Sequence, residues 1–217
     1  MKTTLERIFF GLILAPLAPL AGFMAGWWIS YTALQGIFIA VGALAGLCLG
    51  IVADVFLLKR WVERASQMNT LFWATIFLFY TVGIFGFFMG VPVFNALLAI
   101  PAGFVVAART GTGSSGSTGV SLAARRAAWF TTGVLFVVCA ASAFIALASR
   151  STAADLKGML GLSFEVTQGM ILGLILVGGS GLLAGNWGLA WVSTRLAYKF
   201  LGTKRPASGN AKFGIPG

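Results

Sequence analysis

The chain has 217 residues, 59% of them hydrophobic and only 9% charged, with a mean hydropathy of +0.94. Soluble domains carry about 25% charged residues, so a soluble globular fold is excluded. There is no histidine and only five carboxylates accompany 15 Lys and Arg, which removes His-ligated haem, HExxH zinc sites and imidazole proton relays.

The charges gather in short breaks between apolar runs of 17 residues or more. A helix of about 20 apolar residues crosses the roughly 30 Å hydrocarbon core. A β-barrel would alternate over segments of about ten residues, a pattern the sequence does not show. The expected fold is all-α: a single transmembrane domain over 1–217, with six helices at about 8–29, 35–58, 71–89, 91–107, 127–148 and 168–194.

The first run follows Lys2 and Arg7, and its 22 residues exceed the 7–15 residues of a signal-peptide core, so a retained helix is expected. Pro16, Pro19 and Pro101 should kink their helices, whereas Pro92 suits the start of the fourth. In the second run Gly42, Gly46 and Gly50 form GxxxGxxxG, and Asp54 follows at the same spacing. Small residues four apart let helix backbones approach in lipid; Ala18, Gly22 and Gly26 of the first run supply a matching stripe. Steps of four drift by about 40° each, so Asp54 shares the face of Gly50 but not of Gly42.

Asp54 stands five residues before Lys59, about 7 Å inside the interface at 1.5 Å per residue. An intramembrane carboxylate costs about 2.5–3.5 kcal/mol at a helix centre and less near its ends. A basic partner is therefore expected, with Arg7, Arg109 and Arg195 as candidates. Asp54 then reads either as a salt bridge locking helix ends or as an ion or proton site.

Residues 110–121, TGTGSSGSTGVS, have the composition of a flexible linker. Gly111 and Gly116 stand at phosphate-loop spacing, but Ser117 occupies the place of the required Lys and no strand precedes it. In the break at 149–167, Thr152 and Asp155 stand at capping-box spacing ahead of Leu156, Met159 and Leu160. A short interfacial helix is expected there, as a connector or as a lid.

The sixth run, 168–194, is long enough that tilting, breaking or emergence into the interface is expected. In it, Asn186 lies nine residues before Arg195, about 13 Å deep. Asp54, Asn95, Ser180 and Asn186 are the candidate intramembrane polar site, with Tyr80 and Thr81 as possible neighbours. Gly178-Gly179-Ser180-Gly181 is similar to the serine motif of rhomboid proteases, but a serine without a histidine base is a weak nucleophile, so a packing face is expected. The five acids, Glu6, Asp54, Glu63, Asp155 and Glu165, are scattered, so no metal site is expected. Cys48 and Cys139 lack CxxC or His partners and read as reduced core thiols.

Thirteen of the 15 basic residues fall on one side of the six runs; Arg150 and Lys157 are the exceptions. The positive-inside rule then predicts three helical hairpins with both termini cytoplasmic. The net charge of +10 is orientation signal facing an anionic leaflet, so nucleic acid is not an expected partner.

GALAGLCLGIVADVF at 42–56 and GLLAGNWGLAWVSTRL at 181–196 resemble segments of the substrate-binding S-components of energy-coupling-factor vitamin transporters. The resemblance implies capture of a substrate from outside and transport through a separate ATPase module. GVPVFN, Gly90 to Asn95, is similar to a hairpin of small prokaryotic six-helix membrane proteins, which implies no activity. The expected protein is non-enzymatic, without cofactor or metal, in the cytoplasmic (inner) membrane of a prokaryote. Its expected role is a small-solute binding or permease component; the alternative is a non-catalytic accessory or assembly subunit of a membrane complex. Its expected partners are the lipid bilayer and another membrane subunit or an ATPase module.

Overall fold

The computed structural model describes residues 4–33, 36–88, 90–110, 117–149, 151–161 and 163–202. All regular elements among them are helical. Six helical spans are long and apolar enough to cross a membrane, from Thr4–Ala33 to Gln168–Leu201. The chain is therefore a membrane-embedded, all-α protein.

The first span is two helices, α1 (Thr4–Leu14) and α2 (Leu17–Ala33), broken at Ala15 and Pro16. Pro16 lacks an N–H, and a proline ring clashes with the carbonyl four residues back; for Pro19 that residue is Ala15. One break accommodates both prolines, and Pro19 lies in the first turn of α2. The free Ile13 carbonyl at the break accepts the Tyr80 hydroxyl at 2.6 Å.

The second span, α3 (Ile37–Arg64), runs past the expected end at 58 and carries Lys59, Arg60 and Arg64 on helix rather than in a loop. A 3-10 turn, Ala65–Gln67, links it to α4 (Thr70–Phe87). Asn69 caps α4, its side chain accepting the Leu71 N–H at 3.2 Å. The fourth span divides into α5 (Val93–Ala96), with Pro92 at its N-cap, and α6 (Ala99–Thr110). The interruption at Leu97 and Leu98 lies four residues before Pro101, so this proline displaces the break upstream instead of bending the helix at its own position.

Helix α7 (Ser117–Ala148) begins inside the expected linker. Residues 117–121 are helical because Val120 is buried and Ser121 accepts from Arg195 at 3.5 Å; positions 111–116 lie outside the described residues. The short helix expected after it is α8 (Thr152–Leu160). Ser151, not Thr152, holds the N-cap position, and no side-chain cap bond forms. Gly161 ends α8 in the left-handed conformation, φ +61°, and Lys157 pairs with Glu165 beyond it. Helix α9 (Gln168–Gly202) is unbroken. At 35 residues it measures roughly 52 Å, longer than the hydrocarbon core.

Two tight interfaces organise these helices. Along α2 and α3 the glycines interlock. A Cβ on Gly22 would fall on the Gly46 carbonyl, one on Gly26 on the Gly42 carbonyl, and one on Gly50 on Ala18 and Pro19. Each carbonyl oxygen thus sits against an opposing Cα–H, a contact worth about 0.5–1 kcal/mol. Helices α6, α7 and α9 pack mutually around Ala99, Ala128 and Ala190. Phe10, Leu14, Ala65, Trp73, Ile76, Val105, Ala108 and Leu201 form a further cluster. It gathers α1, the 3-10 turn, the start of α4 and the ends of α6 and α9 at one end of the molecule.

Candidate ligand cavities

Helix α4 approaches the backbone of α5 but stands off from α6, α7 and α9. Side chains hold it in place. Trp73 packs on Phe10 with ring centroids 5.4 Å apart, and its indole N–H donates to the Ala65 carbonyl at 3.1 Å. Phe77 reaches Phe130 of α7 at 5.5 Å. Between α1, α4, α6 and α7 this spacing leaves a cavity of about 1040 Å³. Ligand pockets in proteins span about 300–1,000 Å³, so this one admits a large small molecule.

Its inner walls are apolar: Leu12 and Ile13 of α1, Ile76 and Phe77 of α4, Val105 of α6 and Phe130 of α7 contribute. Tyr80 and Thr131 supply the polar groups at that depth. Towards the helix ends the lining turns polar and basic, with Ser66, Thr70, Arg109, Thr110 and Arg126. No carboxylate, cysteine or nucleophile–base pair is among the described lining residues. A long apolar wall ending at two guanidinium groups is complementary to an amphipathic anion.

A second cavity, about 540 Å³, lies on the other face of α1. The large cavity takes Phe9, Leu12, Ile13 and Pro16; the second takes Arg7 and Gly11. Its remaining lining includes Pro19 of α2 and Ile51, Asp54, Leu58, Lys59 and Glu63 of α3. Its origin is the break at Ala15–Pro16. Above the break α2 is locked to α3 by the glycine stripe; below it α1 stays beside α3 in looser contact, and a wedge opens where Asp54 takes the next place after Gly50.

No family model, curated protein or solved structure matches this chain.

The four expected polar residues lie in separate places. Asp54 faces the wedge, and its Oδ1 is buried without a hydrogen-bond partner. No ion pair joins it to the basic residues expected for it. Arg195 stacks over the Trp191 ring at 3.7 Å and reaches Ser121; Arg109 lines the large cavity; Arg7 shares the wedge. Asn95 is buried and donates to the Thr81 carbonyl at 2.8 Å, leaving its own Oδ1 and the Thr81 hydroxyl without partners. Asn186 is buried between helices, donating to Thr131 at 3.2 Å and Thr132 at 3.0 Å. Ser180 is exposed. Cys48 is exposed rather than in a core, and Cys139 is half-buried; both are free thiols.

Sequence reasoning overlooked the α6 stripe Ala99, Gly103 and Ala107, spaced by four like the stripe of α3. A Cβ on Gly103 would strike the Ser193 hydroxyl and come within 3.0 Å of the Ala190 carbonyl. Ser193 donates to the Ala99 carbonyl at 3.3 Å. Arg126 is one of the thirteen basic residues on one side of the spans, and nothing in its local sequence marks it as sharing a cavity lining with Arg109.

Proposed function

We propose that this chain is a small-solute binding or permease component of a membrane, and that its solute is an amphipathic anion held between α4 and α7. The observation that carries this reading is the cavity of about 1040 Å³ with apolar walls and with Arg109 and Arg126 in its lining. Buried apolar contact supplies affinity, and guanidinium groups in the lining orient the charged head. The lack of a nucleophile–base pair in the lining favours binding over catalysis. The bundle is read as three hairpins with both termini cytoplasmic in a prokaryotic inner membrane. Its support is that thirteen of the 15 basic residues lie on one side of the spans, the arrangement the positive-inside rule reads as cytoplasmic. Energised movement would then fall to a separate subunit, as the resemblance to S-components implies.

The test is purification in mild detergent followed by mass spectrometry of what is retained. One amphipathic anion should be enriched near one per chain, and an Arg109→Gln, Arg126→Gln double variant should lose it. Retained molecules matching the bulk membrane in both proteins would overturn the reading.

One observation favours the accessory-subunit reading. Among the described residues nothing outside α9 meets the faces of Gly173, Gly179, Gly181 or Gly185, and Ser180 is exposed. Small residues on an open face allow a neighbouring helix to approach closely. Cross-linking through Ser180→Cys should trap a specific partner under that reading and give only diffuse products under the first.

A further inference from the structure

We propose that the wedge between α1 and α3 binds a zwitterionic aminophosphate head group, with its ammonium on Asp54 and its phosphate between Arg7 and Lys59. The inference stands on this second cavity and is independent of the large one, from which α1 separates it.

Four observations carry it. The wedge is a cavity of about 540 Å³ containing both signs of charge, Arg7 and Lys59 with Asp54 and Glu63. Its inner end is the half-buried Asp54, whose Oδ1 is bonded by no group among the described residues. Pro19, Ile51 and Val55 share the lining with Asp54, and their side chains offer no donor. Nothing lies within 4 Å of a Cβ placed on Gly11, so the space beside the carboxylate is open from the α1 side.

The order of charges sets the ligand's polarity. A cation must enter first to meet Asp54, and an anion must follow to meet the cations nearer the mouth. Asp54 and Lys59 are five residues apart on one helix, about 7 Å along its axis, and both basic side chains are long enough to shorten that span. A metal ion fits less well, since hard cations take six or more oxygen ligands, whereas the described lining holds two carboxylates, Asp54 and Glu63, nine positions apart on α3. A purely anionic group leaves Asp54 unpartnered, and a quaternary ammonium cannot donate a hydrogen bond to it. A primary ammonium joined to a phosphate satisfies both ends. Because Asp54 lies close to the depth of the head-group boundary, the source is a membrane lipid with a phosphoethanolamine head.

The test is native mass spectrometry of the full chain released from nanodiscs of equimolar phosphatidylethanolamine, phosphatidylcholine and phosphatidylglycerol. The expected result is retention of one phosphatidylethanolamine in preference to the other two by about tenfold or more, the scale of a charge-assisted hydrogen bond. Asp54→Asn should abolish the preference. Gly11→Leu, which fills the wedge without removing a charge, should abolish it too and guards against a folding defect in the first variant. Equal retention of the three lipids, or a preference surviving both substitutions, would overturn the proposal. A soluble glycerophosphoethanolamine should not displace the lipid; displacement at micromolar concentration would overturn the lipid source and assign the same chemistry to a soluble compound.

Discussion

Among individual residues, the decisive departure concerns Asp54. An intramembrane carboxylate calls for a partner, yet here the available cations are committed elsewhere or held apart by the wedge. Arg195 lies over Trp191, a cation–π contact, and Arg109 belongs to the large cavity. Asp54→Asn should therefore leave thermal stability in detergent within about 0.5 kcal/mol of the parent. A loss above about 2 kcal/mol would show that an ion pair does hold it. Asn186 is the opposite case, its amide bonded to Thr131 and Thr132. Asn186→Leu should cost about 1 kcal/mol, the range measured for interhelical hydrogen bonds in membranes, and an unchanged melting temperature would contradict that role. Sequence could mark both residues as polar groups at depth. It could not place them on common faces, because in an all-apolar span the periodicity that reveals a buried face is nearly flat.

Between elements, the glycine contacts of α2 and α3 follow from a spacing visible in the chain. Gly42, Gly46 and Gly50 repeat every four residues, and such a repeat demands a close neighbour. Gly46→Leu should drive a side chain into the Gly22 backbone, costing at least about 1–3 kcal/mol by overpacking. Gly83→Leu, with nothing within 4 Å of its Cβ, should be neutral in the same melt. Equal melting temperatures would contradict the interface. Helix ends were less legible: α3 and α7 continue through residues whose polarity resembles a loop. Arg60, Arg64 and Arg125 sit on helices that protrude beyond the apolar span, where water or head groups solvate the charge. The breaks at Ala15–Pro16 and at Leu97–Leu98 were anticipated as kinks, although Pro101 acts through the residue four places back.

For the whole molecule, six spans could be read directly because apolar runs of membrane length have few alternative explanations. The cavities could not. Residues such as Phe77, Val105 and Phe130 are the same types that face lipid, and only the standing-off of α4 turns them into walls. In the proposed topology, cysteines placed at Gln67 and Ala154, both exposed, should label from opposite sides of the membrane in a Cys48→Ser, Cys139→Ala background. Labelling of both from one side would remove the three-hairpin arrangement.

The most direct measurement of the central claim is equilibrium binding of a fluorescent long-chain fatty acid to the purified protein, read by energy transfer from its tryptophans. Saturable binding near one per chain is expected. Binding should weaken by about tenfold for each of Arg109→Gln and Arg126→Gln and vanish in an Ala74→Phe, Ala123→Trp variant that fills the cavity. Non-saturating partition of equal strength in all four proteins would contradict it.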